Sequence, residues 1–478
     1  MIQFFCDLSQ TGTPFSHCWE HTVGSCHAPL ALRSDWQAQL ERCRQELGFQ
    51  YVRFHGLLSD QLGTLVRQKG ALIDSFFNTD QIFDFLLSIG MKPFVELSFM
   101  PEALASGRKT VFKYRGNVTP PKDYGQWAAF IKRLVSHWVD RYGAAEVGRW
   151  FFEVWNEPNL KAFWTGSRSD YFRLYRFTAD AIKAVDGSLR IGGPATARDA
   201  WIEEFVDFCE KGDVPVDFVS THHYPTDALW NETMDTELQL AGSRRSILRQ
   251  WAQDTRRRAG ARPLYYTEWN TSSNPRDHLH DEPYAAAFVT KTLMEVSGIV
   301  DGYSFWTFSD IFEENYFPSA PFHGGFGLLT LHGISKPVYR AFELLHDLGD
   351  ERLLVDGLHH TVDAFAVRDS AKSSVTVLLI NHALPRHSIE TEQALITLTA
   401  MPEPRRVVAR RIDGDNANAE REWRALGSPA YLDPAIVERL HTASRVPHET
   451  LPYEHDGTVC RFDITMPAHS VAAVTLEF

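Results

Sequence analysis

Two glutamates, Glu157 and Glu268, stand in similar settings at distant places in the chain. Glu157 lies in Trp155-Asn156-Glu157-Pro158-Asn159, at the end of the aromatic run 149–155 (RWFFEVW). That run suits a strand buried on both faces, and Pro158 with Asn159 prevents the strand from continuing. Glu268 lies in Glu268-Trp269-Asn270, directly after 263–267 (PLYYT). A carboxyl group at each strand exit, flanked by tryptophan and asparagine, is what glycosidic bond cleavage requires. One group must be protonated to serve the departing oxygen, and the other ionised to attack the anomeric carbon. A nearby Glu268 anion would raise the pKa of Glu157 by like-charge repulsion. Esterification of Glu268 would remove that charge, so the same residue could act as acid and then as base. Glu157 is the expected acid/base, Glu268 the expected nucleophile, and Asn156 the expected partner of a sugar 2-hydroxyl.

The two residues are 111 apart (268 minus 157), so a larger scaffold must bring them together. Strand-like runs fall at 17–23, 51–55, 92–97, 149–155, 190–192, 218–222, 263–268 and 302–307. Helical segments alternate with them. Trp127, Phe130, Ile131, Leu134, Val135 and Trp138 form one apolar stripe, and Tyr171, Leu174, Tyr175, Thr178 and Ile182 form another. Segments 32–47, 79–89, 200–211, 243–258, 283–297 and 337–348 fill the remaining gaps. Eight strand–helix units fit an α/β fold of the (β/α)8 TIM-barrel type, with every strand's C-terminal end on one catalytic face. A doubly wound open sheet competes, but its glycine-rich phosphate turn is missing; Gly324-Gly325-Phe326-Gly327 follows a loop and has the wrong spacing.

The barrel is expected over residues 12–348, followed by a β-sandwich over 349–478 with short β-branched runs and turn-rich stretches. A short helical insert is expected at 419–426 and 434–444, and residues 1–11 are expected to add a strand to the sandwich. The 478 residues are 44% hydrophobic, enough for a large core. A formal net charge of −13 argues against nucleic acid and anionic membranes as partners. No apolar run reaches membrane-spanning length and no secretory signal is visible. Six cysteines without a CxxC motif read as reduced thiols, so a cytoplasmic location is expected. Cys18, Cys26 and His27 fit no zinc spacing, and neither a metal nor another cofactor is expected.

The segments WNEPNL (155–160) and TEWN (267–270) resemble the acid/base and nucleophile segments of the clan of retaining (β/α)8 glycosidases. More narrowly, WEHTVGSCHA (19–28), YVRFHG (51–56), THHYP (221–225), FWTFSDIFEE (305–314) and 321–346 resemble the β-xylosidases of glycoside hydrolase family 39. The resemblance spans nearly the whole barrel, and only loosely the sandwich. It implies a retaining exo-glycosidase that removes terminal β-D-xylosyl residues from xylo-oligosaccharides or other β-xylosides. By the same resemblance His55 would bond a sugar hydroxyl, with Arg53 beside it holding Glu268 ionised. His222 and Tyr224 would lie at the sixth strand's exit, with the tyrosine orienting the nucleophile. Trp306 would floor the pocket, Phe312 wall it, and Glu314, more than Glu313, bond sugar hydroxyls. Strand alternation points His223 away from the pocket, as a structural residue.

Family 39 also holds α-L-iduronidases, which place a basic residue where this chain has Tyr224; a neutral phenol cannot balance a substrate carboxylate. Phe312, Phe317 and Phe322 are expected to close the pocket beside the sugar's missing exocyclic carbon. β-Galactosidase and α-L-arabinosidase activities stay open, as does an oligomer built through the sandwich. A non-catalytic carbohydrate-binding barrel would usually have lost one of the two carboxylates, and both are present.

Overall fold

The computed structural model describes residues 1–226, 235–315 and 317–478. Eight parallel strands close into a barrel: β1 (Thr22–His27), β2 (Tyr51–His55), β3 (Lys92–Glu96), β4 (Phe151–Glu153), β5 (Arg190–Ala197), β6 (Phe218–His223), β7 (Leu264–Trp269) and β8 (Gly302–Phe305). Their outer ring comprises α1 (Ser34–Leu47), α2 (Phe77–Ser88), α3 (Tyr124–Tyr142), α4 (Arg168–Lys183), α5 (Ile202–Gly212), α6 (Ile247–Ala259), α7 (Pro283–Val296) and α8 (Pro337–His346). The α3 stripe read from the sequence is fully buried, and Ser167 with Asp170 starts α4 with a reciprocal capping box.

Two strands differ from the sequence reading. The first was expected at 17–23, but Cys18–Glu20 forms a 3-10 turn and the strand runs from Thr22 to His27. Its Gly24 has no apolar signature because the strand passes close to a ring: a Cβ there would lie 2.6 Å from Trp306 Cε3. Ser25 accepts from the Trp36 indole at 2.9 Å. Strand β5 extends five residues beyond the expected end, through a register shift between Pro194 and Thr196.

Strand alternation stacks the barrel interior in layers. Tyr51, Phe94, Phe151 and Phe218, with Tyr265 against them, plug the bottom as a separate aromatic cluster. Two residues further along the same strands come Arg53, Glu96, Glu153, Ser220 and Thr267, all buried. An apolar floor thus carries a polar layer, and the functional rim is built on that layer.

Beyond the barrel, a four-stranded sheet contains Ile2–Asp7, which pairs in parallel with Glu392–Thr399. It faces a seven-stranded sheet centred on Ser374–Asn381 and Ser470–Glu477. Helices Ala419–Ala425 and Pro434–Ala443 pack through Trp423 and Leu440 onto Phe322 and Ile334 of the loop after β8. Val367, Leu378, Ile380 and Val471 of the sandwich belong to the main barrel core, so the two parts share one apolar interior. Arg245 and Lys291 reach Asp363 across that seam at 2.5 and 3.3 Å. All six cysteines are buried and unpaired. No helix among the described residues is long and apolar enough to cross a membrane.

Candidate active site

Strand β4 ends at Glu153, and the chain turns out of the barrel over the next four residues. Trp155 and Glu157 both take left-handed backbone conformations (φ 72° and 44°), which cost non-glycine residues about 1–2 kcal/mol each. Burial of Trp155, whose indole donates to Phe163 O at 2.8 Å, holds the turn. So does the Glu157 amide, which donates to Ala195 O at 2.7 Å. Glu268 is the penultimate residue of β7, at a register shift where His222 comes to pair with it. The result is a tight cluster: one oxygen from each glutamate and one nitrogen of His222 lie within 4.8 Å of one another. That closeness fits a nucleophile and an acid roughly 5–5.5 Å apart rather than a pair spread for an intervening water.

The two carboxyl groups sit in unlike surroundings. Glu268 Oε1 accepts from Arg53 Nη1 at 2.9 Å and its Oε2 accepts from the Tyr224 hydroxyl at 3.0 Å. Burial raises its pKa, while Arg53, His55 and the Tyr224 hydrogen bond favour the ionised form. Burial also pushes Glu157 up, well above the ordinary carboxylate range, and the Glu268 charge pushes it further. Like-charge repulsion is therefore the second cause and not the first, as the sequence reading had it. Glu157 has His222 Nδ1 at 3.0 Å from Oε1, with no lysine or arginine among the described residues at salt-bridge distance. Both carboxyl groups are thus shifted upward, Glu157 the further, so of the two Glu268 gives up its proton more readily.

Arg53 is the hub of the polar layer. It is fully buried and ion-paired to Glu153 at 2.6 Å, Glu96 at 2.8 Å and Glu268 at 2.9 Å. It also donates from Nη2 to Asn156 Oδ1 at 3.0 Å. That bond occupies the amide oxygen of Asn156, so its NH2 group is the part left to face the pocket.

His55, Asn156, Glu157, Tyr224, Glu268, Trp306 and Glu314 all line one pocket at the C-terminal rim. His55 bonds Glu96 Oε2 through Nδ1 at 2.7 Å, which leaves Nε2 turned toward Glu268 and Glu314. Glu314 is buried, and its Oε1 has no hydrogen-bond partner among the described residues. A buried acceptor of that kind awaits a donor from outside.

Five expected pocket residues fall elsewhere. His222 is fully buried under the carboxylates, bonded to Glu157 and to Thr267, because the register shift turns it inward. Phe312 packs behind the wall, edge-on to Trp306 and Phe326 at 6.4 and 5.5 Å. Glu313 turns to His27 and Arg33, each 3.6 Å away, since adjacent loop residues point in opposite directions. Phe317 is 55% exposed, and Phe322 packs on Trp423. The apolar lining is instead Phe112, Phe163 and Phe326, and Arg198, Thr226 and Ser273 line the same pocket. Phe112 has a left-handed backbone (φ 61°) inside an irregular loop, and only that geometry marks it. His223 bonds Tyr303 at 2.5 Å behind the barrel wall.

Residues 4–460 match the family model described as "Glycosyl hydrolases family 39". A beta-xylosidase of Caldicellulosiruptor saccharolyticus is 50% identical over 465 residues, covering 96% of this chain and 95% of that protein. One of Geobacillus stearothermophilus is 37% identical, covering 97% and 93%. The crystal structure of the GH39 enzyme from Xanthomonas axonopodis pv. citri superposes with a TM-score of 0.89 at 34% identity, over 99% of this chain and 97% of that one.

Proposed function

This chain belongs to glycosyl hydrolases family 39 and is a glycoside hydrolase, and we propose that it removes terminal β-D-xylosyl residues from xylo-oligosaccharides with retention of configuration. The ionised Glu268 attacks the anomeric carbon. As the glycosidic C–O bond breaks, Glu157 transfers its proton to the departing oxygen, and a covalent glycosyl ester forms on Glu268. Esterification removes the Glu268 charge, which weakens the hold of Glu157 on a proton. Now a carboxylate, it takes one from water, whose oxygen attacks the same carbon and releases Glu268. Asn156 supplies an N–H for the 2-hydroxyl, where hydrogen bonding strengthens as positive charge develops. His55 and Glu314 bond other hydroxyls, and Trp306 stacks beneath the ring.

One observation carries this reading: two buried carboxyl groups, one with Arg53 and Tyr224 as donors and the other with neither, within 4.8 Å of a common imidazole. The near-full-length likeness to two proteins named beta-xylosidase supports the sugar. Burial and the neighbouring acids push the Tyr224 phenol well above its usual range, so it stays a neutral donor and offers no charge to a uronic acid. A kinetic screen of aryl glycosides differing only in the sugar tests the assignment. The β-xyloside should have the highest kcat/KM; a faster β-galactoside or α-L-arabinoside would overturn it.

A further inference from the structure

The acid/base candidate meets an imidazole whose second nitrogen is already committed, and the chain of donors beyond it has one direction. Arg53 Nε donates to Glu153 Oε2 at 2.6 Å, the shortest of its three ion pairs, which marks Glu153 as a carboxylate with acceptor oxygens only. Thr267 Oγ1 lies 2.8 Å from the other oxygen, Glu153 Oε1, and a hydroxyl has one proton to give. With that proton spent on Glu153, the Thr267 oxygen can only accept from His222 Nε2, 3.0 Å away. Nε2 therefore carries the hydrogen. In a neutral ring Nδ1 is then a bare lone pair, and it faces Glu157 Oε1 at 3.0 Å. Burial, Arg53 and His55 keep this imidazole neutral.

We propose that Thr267 and Glu153 are positioning residues that lock His222 in its Nε2–H tautomer, so that its Nδ1 accepts the proton of Glu157 and holds the acid in its protonated form. This rests on the reading of Glu157 as acid/base. A carboxylic acid can donate to that lone pair and a carboxylate cannot, so ionisation leaves two acceptors in contact. The cost of that contact favours the loaded acid before bond cleavage. After the proton has gone to the departing oxygen, the same contact favours its recovery from water.

Other charged groups act on the pair. Arg53 and His55 face His222 from β2, Glu157 and Glu268 from the rim, and His223 from its own strand. Glu157 is faced by Glu268, Arg53, Glu96 and Arg198, and by Tyr224 and Glu314 across the pocket.

Thr267→Val keeps the branched shape and removes the hydroxyl. His222 is then free to carry its proton on Nδ1 and donate to the Glu157 carboxylate, which lowers the pKa of Glu157. The alkaline limb of kcat/KM should move down by about one pH unit or more, with the acid limb unmoved. Thr267→Ser should restore the wild-type profile. Histidine 15N NMR of the wild-type protein reads the tautomer whether or not the valine variant folds, with His222 assigned by its loss in His222→Gln. A protonated Nε2 and bare Nδ1 are expected; a protonated Nδ1, or an unmoved alkaline limb in folded Thr267→Val, overturns the lock. The acid/base reading fails separately, if Glu157→Ala loses equal activity on good and poor leaving groups.

Discussion

The Tyr224 hydroxyl lies 3.0 Å from Glu268 Oε2, on the opposite side of the carboxylate from Arg53. The two donors fix the carboxylate plane between them, and each stabilises its negative charge. Tyr224→Phe leaves the ring in place and removes one of them. A hydrogen bond to a charged group contributes roughly 1.5–3 kcal/mol, so kcat should fall about 10- to 100-fold. The acid limb of the pH profile should move upward, because Glu268 loses a bond that favours its ionised form. A steady-state pH profile checks both effects.

Glu157→Ala should respond to the leaving group. A nitrophenolate departs with little protonation, whereas a sugar or alkyl alcohol needs the acid, so the loss should be far smaller for the aryl substrate. Azide, which needs no general base, should recover turnover of the aryl substrate and yield a glycosyl azide. Comparison of aryl and alkyl xylosides in the variant, with and without azide, measures this.

Arg53 holds three buried carboxylates at once. Replacing it with methionine leaves all three without their cation, and an uncompensated buried charge costs about 3–5 kcal/mol. Arg53→Met should therefore lower the unfolding midpoint markedly as well as abolish turnover. A thermal melt separates this from Tyr224→Phe, which should melt near wild type.

Gly24 has no bearing on the chemistry, yet its missing side chain makes room for Trp306. Gly24→Ala would set a Cβ 2.6 Å from Trp306 Cε3 and 3.1 Å from Phe305 O. Such overpacking costs about 1–3 kcal/mol, and here it moves the platform under the sugar. KM for the xyloside should rise and the unfolding midpoint should fall, as kinetics and a melt on the same preparation would show.

Acid should destabilise the fold before it protonates most carboxylates. His382 and His469 lie near Tyr284 and Phe288 at the seam between barrel and sandwich. Burial holds His382 well below the usual imidazole range and lowers His469 to about 4. Their folded pKa values are depressed, so the unfolded chain binds more protons below about pH 6.5. Stability should be full above that pH and fall as pH drops through it toward 4. In His382→Phe, the unfolding midpoint should decline less steeply over that window.

Much of the scaffold was legible because its signals are local. Trp127, Phe130, Ile131, Leu134, Val135 and Trp138 announce α3 by spacing alone, whereas β4, expected over 149–155, spans only Phe151–Glu153. The first strand was misplaced because close approach to Trp306 demands Gly24 and the Trp36 indole bonds Ser25, residues with no apolar pattern. Within the site, side chains at strand ends could be placed by alternation, and Arg53 follows from Tyr51 below it. His222 could not, since the register shift that turns it under Glu157 depends on pairing with β7. Phe112, Phe163 and Arg198 lie in irregular segments, where direction is set by tertiary contacts and no periodicity reports it.

A covalent bond between Glu268 and the sugar is trapped with a 2-deoxy-2-fluoro-β-xyloside bearing a good leaving group. The fluorine slows release of the glycosyl ester, and mass spectrometry of a digest locates it. Stoichiometric inactivation is expected, with the added mass of the 2-deoxy-2-fluoropentosyl group on the peptide containing Glu268. A label on any other residue, or release of the α-anomer of 2-deoxy-2-fluoroxylose with no labelled peptide, would overturn the assignment of Glu268.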